Sequence, residues 1–122
     1  MTTKLFLSPK ITPPKLRGIS PRKRLFNLIH HASDQKIFWI TSPPGSGKTT
    51  LAASYSETLK IPIFWYQLDS GDADLGSFFH YLSQAVSLFS PRQKRAFPPF
   101  TPDYLMKPGL FSRIFFREMV QR

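Results

Sequence analysis

Three stretches of the chain place apolar residues at helical spacing: Leu25, Leu28, Ile29 and Ala32; Leu75, Phe78, Phe79, Leu82, Val86 and Phe89; Leu110, Phe111, Ile114, Phe115 and Met119. Each predicts an amphipathic helix that buries one stripe. Ser20-Pro21 reads as the start of the first, with Ser20 the N-cap and Pro21 at the first helical position, and the helix ends near Ser33-Asp34. Ser90-Pro91 closes the second, and the third runs to the C-terminus. Two other apolar runs lack that period. Ile37 to Thr41 is nearly continuous in large side chains, as a strand covered on both faces would be, and Pro62 to Leu68 reads as a second strand. A further helix, from Thr49 to about Lys60, lies between them. Strand, helix and strand within about thirty residues predict a βαβ unit with a parallel sheet.

Between the first strand and its helix stands Ser42-Pro43-Pro44-Gly45-Ser46-Gly47-Lys48-Thr49, a phosphate-binding loop of the Walker A type. Glycines at 45 and 47 let main-chain N–H groups approach a polyphosphate without Cβ obstruction. Lys48 is placed to reach phosphate oxygens as a point charge, and the Thr49 hydroxyl to ligate Mg²⁺. The amides of the helix that opens there, through Thr50, turn toward the anion. Pro44, Gly45, Ser46, Gly47, Lys48, Thr49 and Thr50 are therefore the candidate contacts to ATP or ADP, with Thr49 the candidate metal ligand. Ser42 stands where this pattern usually has its first glycine. The expected fold class is α/β, a partial P-loop NTPase, with residues 1–20 an extended proline-rich arm and 21–122 the incomplete domain.

Two strands are few for a sheet helically covered on both faces. Residues 91–108 hold five prolines and little periodicity, so they read as a loop or insertion. An apolar strand ending in Asp, which holds the metal's water shell in phosphate-loop enzymes, does not follow residue 75. Hydrolysis by this chain alone is therefore not expected. Asp69 and Asp72 read as turn formers, with contact to metal or substrate the alternative.

The net charge is +10, and its distribution matters more than its total. Seven of the seventeen basic residues precede Asp34 and seven follow residue 90, so the middle of the chain is mildly acidic. No aromatic-basic interleaving or recognition-helix pattern accompanies the charge, which argues against direct DNA or RNA binding by this segment. The chain has no cysteine, which fits a cytoplasmic setting. His30, His31 and His80 have no partners at zinc-ligand spacing and read as helix surface residues. No secretion signal or membrane-spanning run is read.

Four stretches resemble the ATPase module of signal-transduction ATPases with numerous domains, the maltose-activator-like, large ATP-binding LuxR-type transcription regulators. Thr3-Lys4-Leu5 with Pro13 and Pro14 is similar to their N-terminal arm, and Ser20 to Leu25 to their V-P-R-x-R-L. Ser42 to Leu51 resembles A-P-A-G-x-G-K-T-T-L. Ile63 to Asp69, with Asp72, Asp74 and Phe78, resembles V-A-W-L-x-L-D…D-x-D…F. The resemblance implies ATP or ADP binding with Mg²⁺, and it places Arg22 and Arg24 near the adenine and sugar end of the site. It implies that the chain is an N-terminal piece of such a regulator, cytoplasmic, with DNA contacted only through domains outside it and self-association in an intact relative. A P-loop enzyme of another kind, such as a small-molecule kinase or AAA-type ATPase, and a non-functional remnant are the alternatives.

Overall fold

Among the residues that the computed structural model describes, 8–90 and 96–122, regular structure is wholly helical. The α-helices are α1 (Lys23–His31), α2 (Lys48–Leu59), α3 (Leu75–Phe89) and α4 (Pro108–Val120), with 3-10 turns at Ser70–Ala73 and Pro102–Met106. Thr3-Lys4-Leu5 of the arm, and Pro91, Arg92, Lys94 and Arg95 of the proline-rich basic stretch, lie outside the described residues.

The α/β expectation is overturned: the runs at 37–41 and 62–68 have no regular secondary structure, neither is a strand, and the parallel βαβ unit does not form among the described residues. A strand exists only through its ladder, and an apolar run cannot supply its own partner. Ile37 and Trp39 are instead 82% and 86% exposed. Among the described residues the backbone of the second run is joined to another segment by the Gln67 N–H donating to the Lys10 carbonyl at 2.8 Å, which is one bond and not a ladder. The start of α1 also shifts. Arg22, not Ser20, is its N-cap, without a side-chain bond, and the Phe26 N–H donates to the Arg22 carbonyl at 2.9 Å. Helices α3 and α4 fall where the apolar spacing predicts them, and α2 where a helix is expected behind the loop.

The chain divides into two compact units whose boundaries sit at prolines: Met1–Pro13 with Pro62–Arg122, and Pro14–Ile61. The first is built on aromatic packing. Phe79 of α3 meets Phe111 and Phe115 of α4 at 4.7 and 5.0 Å between ring centres, and Phe111 and Phe115 are fully buried. The segment expected to be a plain loop or insertion adds to this core. Phe97 stacks on Phe115 at 4.6 Å, and Phe100 and Tyr104 each lie 4.9 Å from Phe111. The prolines keep that segment out of a longer helix and its rings supply the adhesion, so it needs no helical period.

Caps set where the helices of this unit begin. The Asp74 carboxylate accepts the Ser77 N–H at 2.9 Å and starts α3, and Pro108 starts α4 in the first turn, where its absent N–H is no loss. The second unit is smaller. Leu51 and Ala53 of α2 are its buried apolar residues, and the ring of Phe26 on α1 meets that of Tyr55 on α2 edge-on at 5.5 Å.

Candidate phosphate-binding loop

Residues 42–49 curl back on themselves immediately before α2. Gly45 and Gly47 adopt left-handed backbone, with φ of 79° and 84°, which side-chain-bearing residues adopt only under strain. Gly47 is the N-cap of α2 and supplies no side chain to its first turn; the Leu51 N–H donates to the Gly47 carbonyl at 2.8 Å. The amides of Lys48, Thr49 and Thr50 precede the first intrahelical donor, so they remain for an anion at the positive end of the helix. Ser46 ties the curl together: its hydroxyl contacts that of Ser42 and donates to the Pro43 carbonyl at 2.7 Å.

The Lys48 ammonium turns back over the loop and donates to the carbonyls of Ser42 at 2.7 Å and Pro43 at 3.3 Å. The expected contacts Pro44 to Thr50 are thus gathered on one curl with the cation at its centre. Thr49 and Pro44 are exposed, while Ser46, Gly47, Lys48 and Thr50 are half-buried. Arg22 is brought to the same place, its guanidinium donating to the Ser46 carbonyl at 3.1 Å. Arg24 is not. It lines a shallow hollow with Arg22, Lys23 and Leu25 and makes no hydrogen bond or ion pair among the described residues.

The residues present fit a polyphosphate: two left-handed glycines, uncapped helix amides and a lysine, with no carboxylate bonded to the loop among the described residues. They do not by themselves make a metal cage. No three His, Cys, Asp or Glu side chains among the described residues gather where an ion could sit, so Mg²⁺ would arrive held mainly by the phosphates, with the Thr49 hydroxyl as one protein ligand.

Asp69, Asp72 and Asp74 have structural work elsewhere. Asp69 and Asp72 cap the 3-10 turn reciprocally, the Gly71 N–H donating to Asp69 and the Asp69 N–H to Asp72, both at 2.8 Å. Lys10 reaches both carboxylates, at 2.7 Å to Asp69 and 2.6 Å to Asp72, and the Tyr66 hydroxyl donates to Asp72 at 2.7 Å. The sequence reading missed Lys10, since a lone lysine between prolines carries no spacing signal toward residues 62 positions away.

Burial of Asp72 alone would raise its pKa, but hydrogen bonds from Lys10, Tyr66 and the Asp69 amide outweigh that and hold the carboxyl at about 2, below its ordinary 3.8. The folded state thus favours the ionised form. The stabilisation is fully present above 3.8 and is lost as pH falls through about 2. Asp72→Asn is expected to lower the urea midpoint at pH 7 and to shrink the further fall between pH 4 and pH 2. An unchanged acid limb in the variant would show that Asp72 does not carry this dependence.

The chain is similar to regulators of known type. It is 36% identical over 84 residues to the HTH-type transcriptional regulator MalT of Vibrio cholerae serotype O1, covering 68% of this chain and 9% of that protein. It is 34% identical over 84 residues to MalT of Vibrio campbellii, and 38% identical over 74 residues to MalT of Cronobacter sakazakii, which covers 61% of this chain and 8% of that regulator. The matched segment spans about a tenth of the length of these curated relatives. No protein-family profile matches the chain, and no solved structure matches it.

Proposed function

Starting from a chain related to MalT-type transcriptional regulators, we propose that it is a nucleotide-binding segment of a regulator, taking ATP or ADP on the loop 42–49. The observation that carries this reading is the uncapped start of α2 directly behind two left-handed glycines, with Lys48 folded over the curl. In this reading the β- and γ-phosphates replace the carbonyls of Ser42 and Pro43 as partners of the Lys48 ammonium. The amides of the first turn bind the remaining phosphate oxygens, and Thr49 meets the accompanying Mg²⁺. Occupancy would bias a conformational equilibrium in the intact protein. Control of transcription, the DNA contact it requires, cytoplasmic location and self-association then belong to that larger protein. The proposal for this chain is confined to binding, carried on a helical scaffold.

Calorimetric titration of the full chain with ATP, ADP and adenosine tests the reading. ATP and ADP should bind and adenosine should not, because the contacts are to phosphate. Thr49→Ala should weaken Mg²⁺-ATP more than metal-free ATP, since the hydroxyl acts through the metal. Equal, loop-independent binding of adenosine and ATP would overturn it.

A further inference from the structure

Arg22 occupies a position that neither a solvated helix-start charge nor an adenine contact explains. Its carbonyl opens α1, while its side chain crosses to a loop 24 residues later and donates to the Ser46 carbonyl. The loop makes room for it. Gly47 is required by its positive φ, and a Cβ built there would stand 3.2 Å from the nearer guanidinium nitrogen, a tight contact that Arg22 could relieve only by shifting a few tenths of an ångström. Among the described residues no carboxylate pairs with Arg22, and its bond is to a loop carbonyl. Ser46 is also the residue whose hydroxyl holds Ser42 and Pro43 together. The cation therefore braces the curl at its central residue.

We propose that Arg22 is a positioning residue of the phosphate loop: it fixes the Ser46–Gly47 peptide, and through it the first-turn amides of α2, and so ties phosphate occupancy to the start of α1. This rests on the nucleotide reading above and assigns Arg22 to the phosphate end of the site. A residue that shapes the loop affects every ligand carrying the polyphosphate, whatever base is attached. A guanidinium also presents several donors in a fixed fork, which suits holding a carbonyl beside a glycine.

The test uses the full chain with two probes, ATP and inorganic tripolyphosphate, and one readout without ligand. Arg22→Ala should weaken both probes by the same factor, about fivefold, as for loss of one charge-assisted bond at an exposed site. Without ligand, amide hydrogen exchange at Ser46 and Leu51, whose N–H groups are bonded to the Pro43 and Gly47 carbonyls on either side of the braced peptide, should quicken in Arg22→Ala and return partly toward wild type in Arg22→Lys. Gly47→Ala should weaken both probes and should not be rescued by Arg22→Ala, because the positive φ remains strained after the steric contact is gone. Weakening of ATP alone would place Arg22 at the base or sugar, and unchanged exchange with unchanged affinity would make it a solvated charge; either overturns the proposal. Should wild-type chain bind neither probe, the nucleotide reading fails, while the bracing of the loop is still decided by the exchange rates.

Discussion

Lys48→Ala is expected to lower the affinity for ATP and ADP by at least about a hundredfold. A hydrogen bond to a charged group contributes roughly 1.5–3 kcal/mol, and an ammonium between two phosphate oxygens makes two, so about 3 kcal/mol is a conservative loss. At 1.4 kcal/mol per tenfold this is about two decades. The variant should fold, because Lys48 donates to two carbonyls on its own turn and is only half-buried. Its helical circular dichroism checks this. Lys48→Arg keeps the charge and loses the compact point contact, so it should recover little of the affinity. Wild-type affinity in Lys48→Ala would remove the loop from the binding site altogether.

Phe111→Ala should cost the unit containing α3 and α4 about 3–5 kcal/mol, the usual range for truncating a buried aromatic residue. Phe111 has no exposed surface and touches the rings of Phe79, Phe100 and Tyr104 within 5 Å, so its removal leaves a cavity lined from three segments at once. Small domains have only about 5–15 kcal/mol of net stability. The variant should therefore lose much of its cooperative urea transition, followed by circular dichroism at 222 nm. Phe116→Ala, at an exposed position on the same helix, should shift the midpoint far less. Equal effects at both positions would contradict the packing described above.

Local features were legible in the sequence, whereas features that need a distant partner were not. Helices α3 and α4 follow from apolar spacing, and the loop follows from its glycines and lysine, whereas the starts of the helices at Asp74 and Pro108 came from the structure. The runs Ile37–Thr41 and Pro62–Leu68 have strand composition, but composition is silent on whether another strand lies alongside. The same limit hid Lys10, whose carboxylate partners are remote in sequence, and the contribution of Phe97, Phe100 and Tyr104, whose proline-bound segment has no period to read. Ser20-Pro21 had the right chemistry for a helix start. The first helical bond nevertheless forms at the Arg22 carbonyl, whose residue reaches the loop. Arg22 itself was singled out by resemblance, and its partner Ser46 emerged only from the geometry.

Residues 14–61 behave topologically as a guest inserted in a host whose two halves, either side of the guest, are fastened by Lys10. Closing a flexible chain becomes only slowly more costly with length, about 0.6 kcal/mol for each doubling. The host is therefore nearly indifferent to how long its guest is, and the segment that carries the loop 42–49 can be extended or exchanged without rewriting the aromatic core. Modularity of this kind lets an inserted loop diverge while the structure that anchors its ends stays fixed.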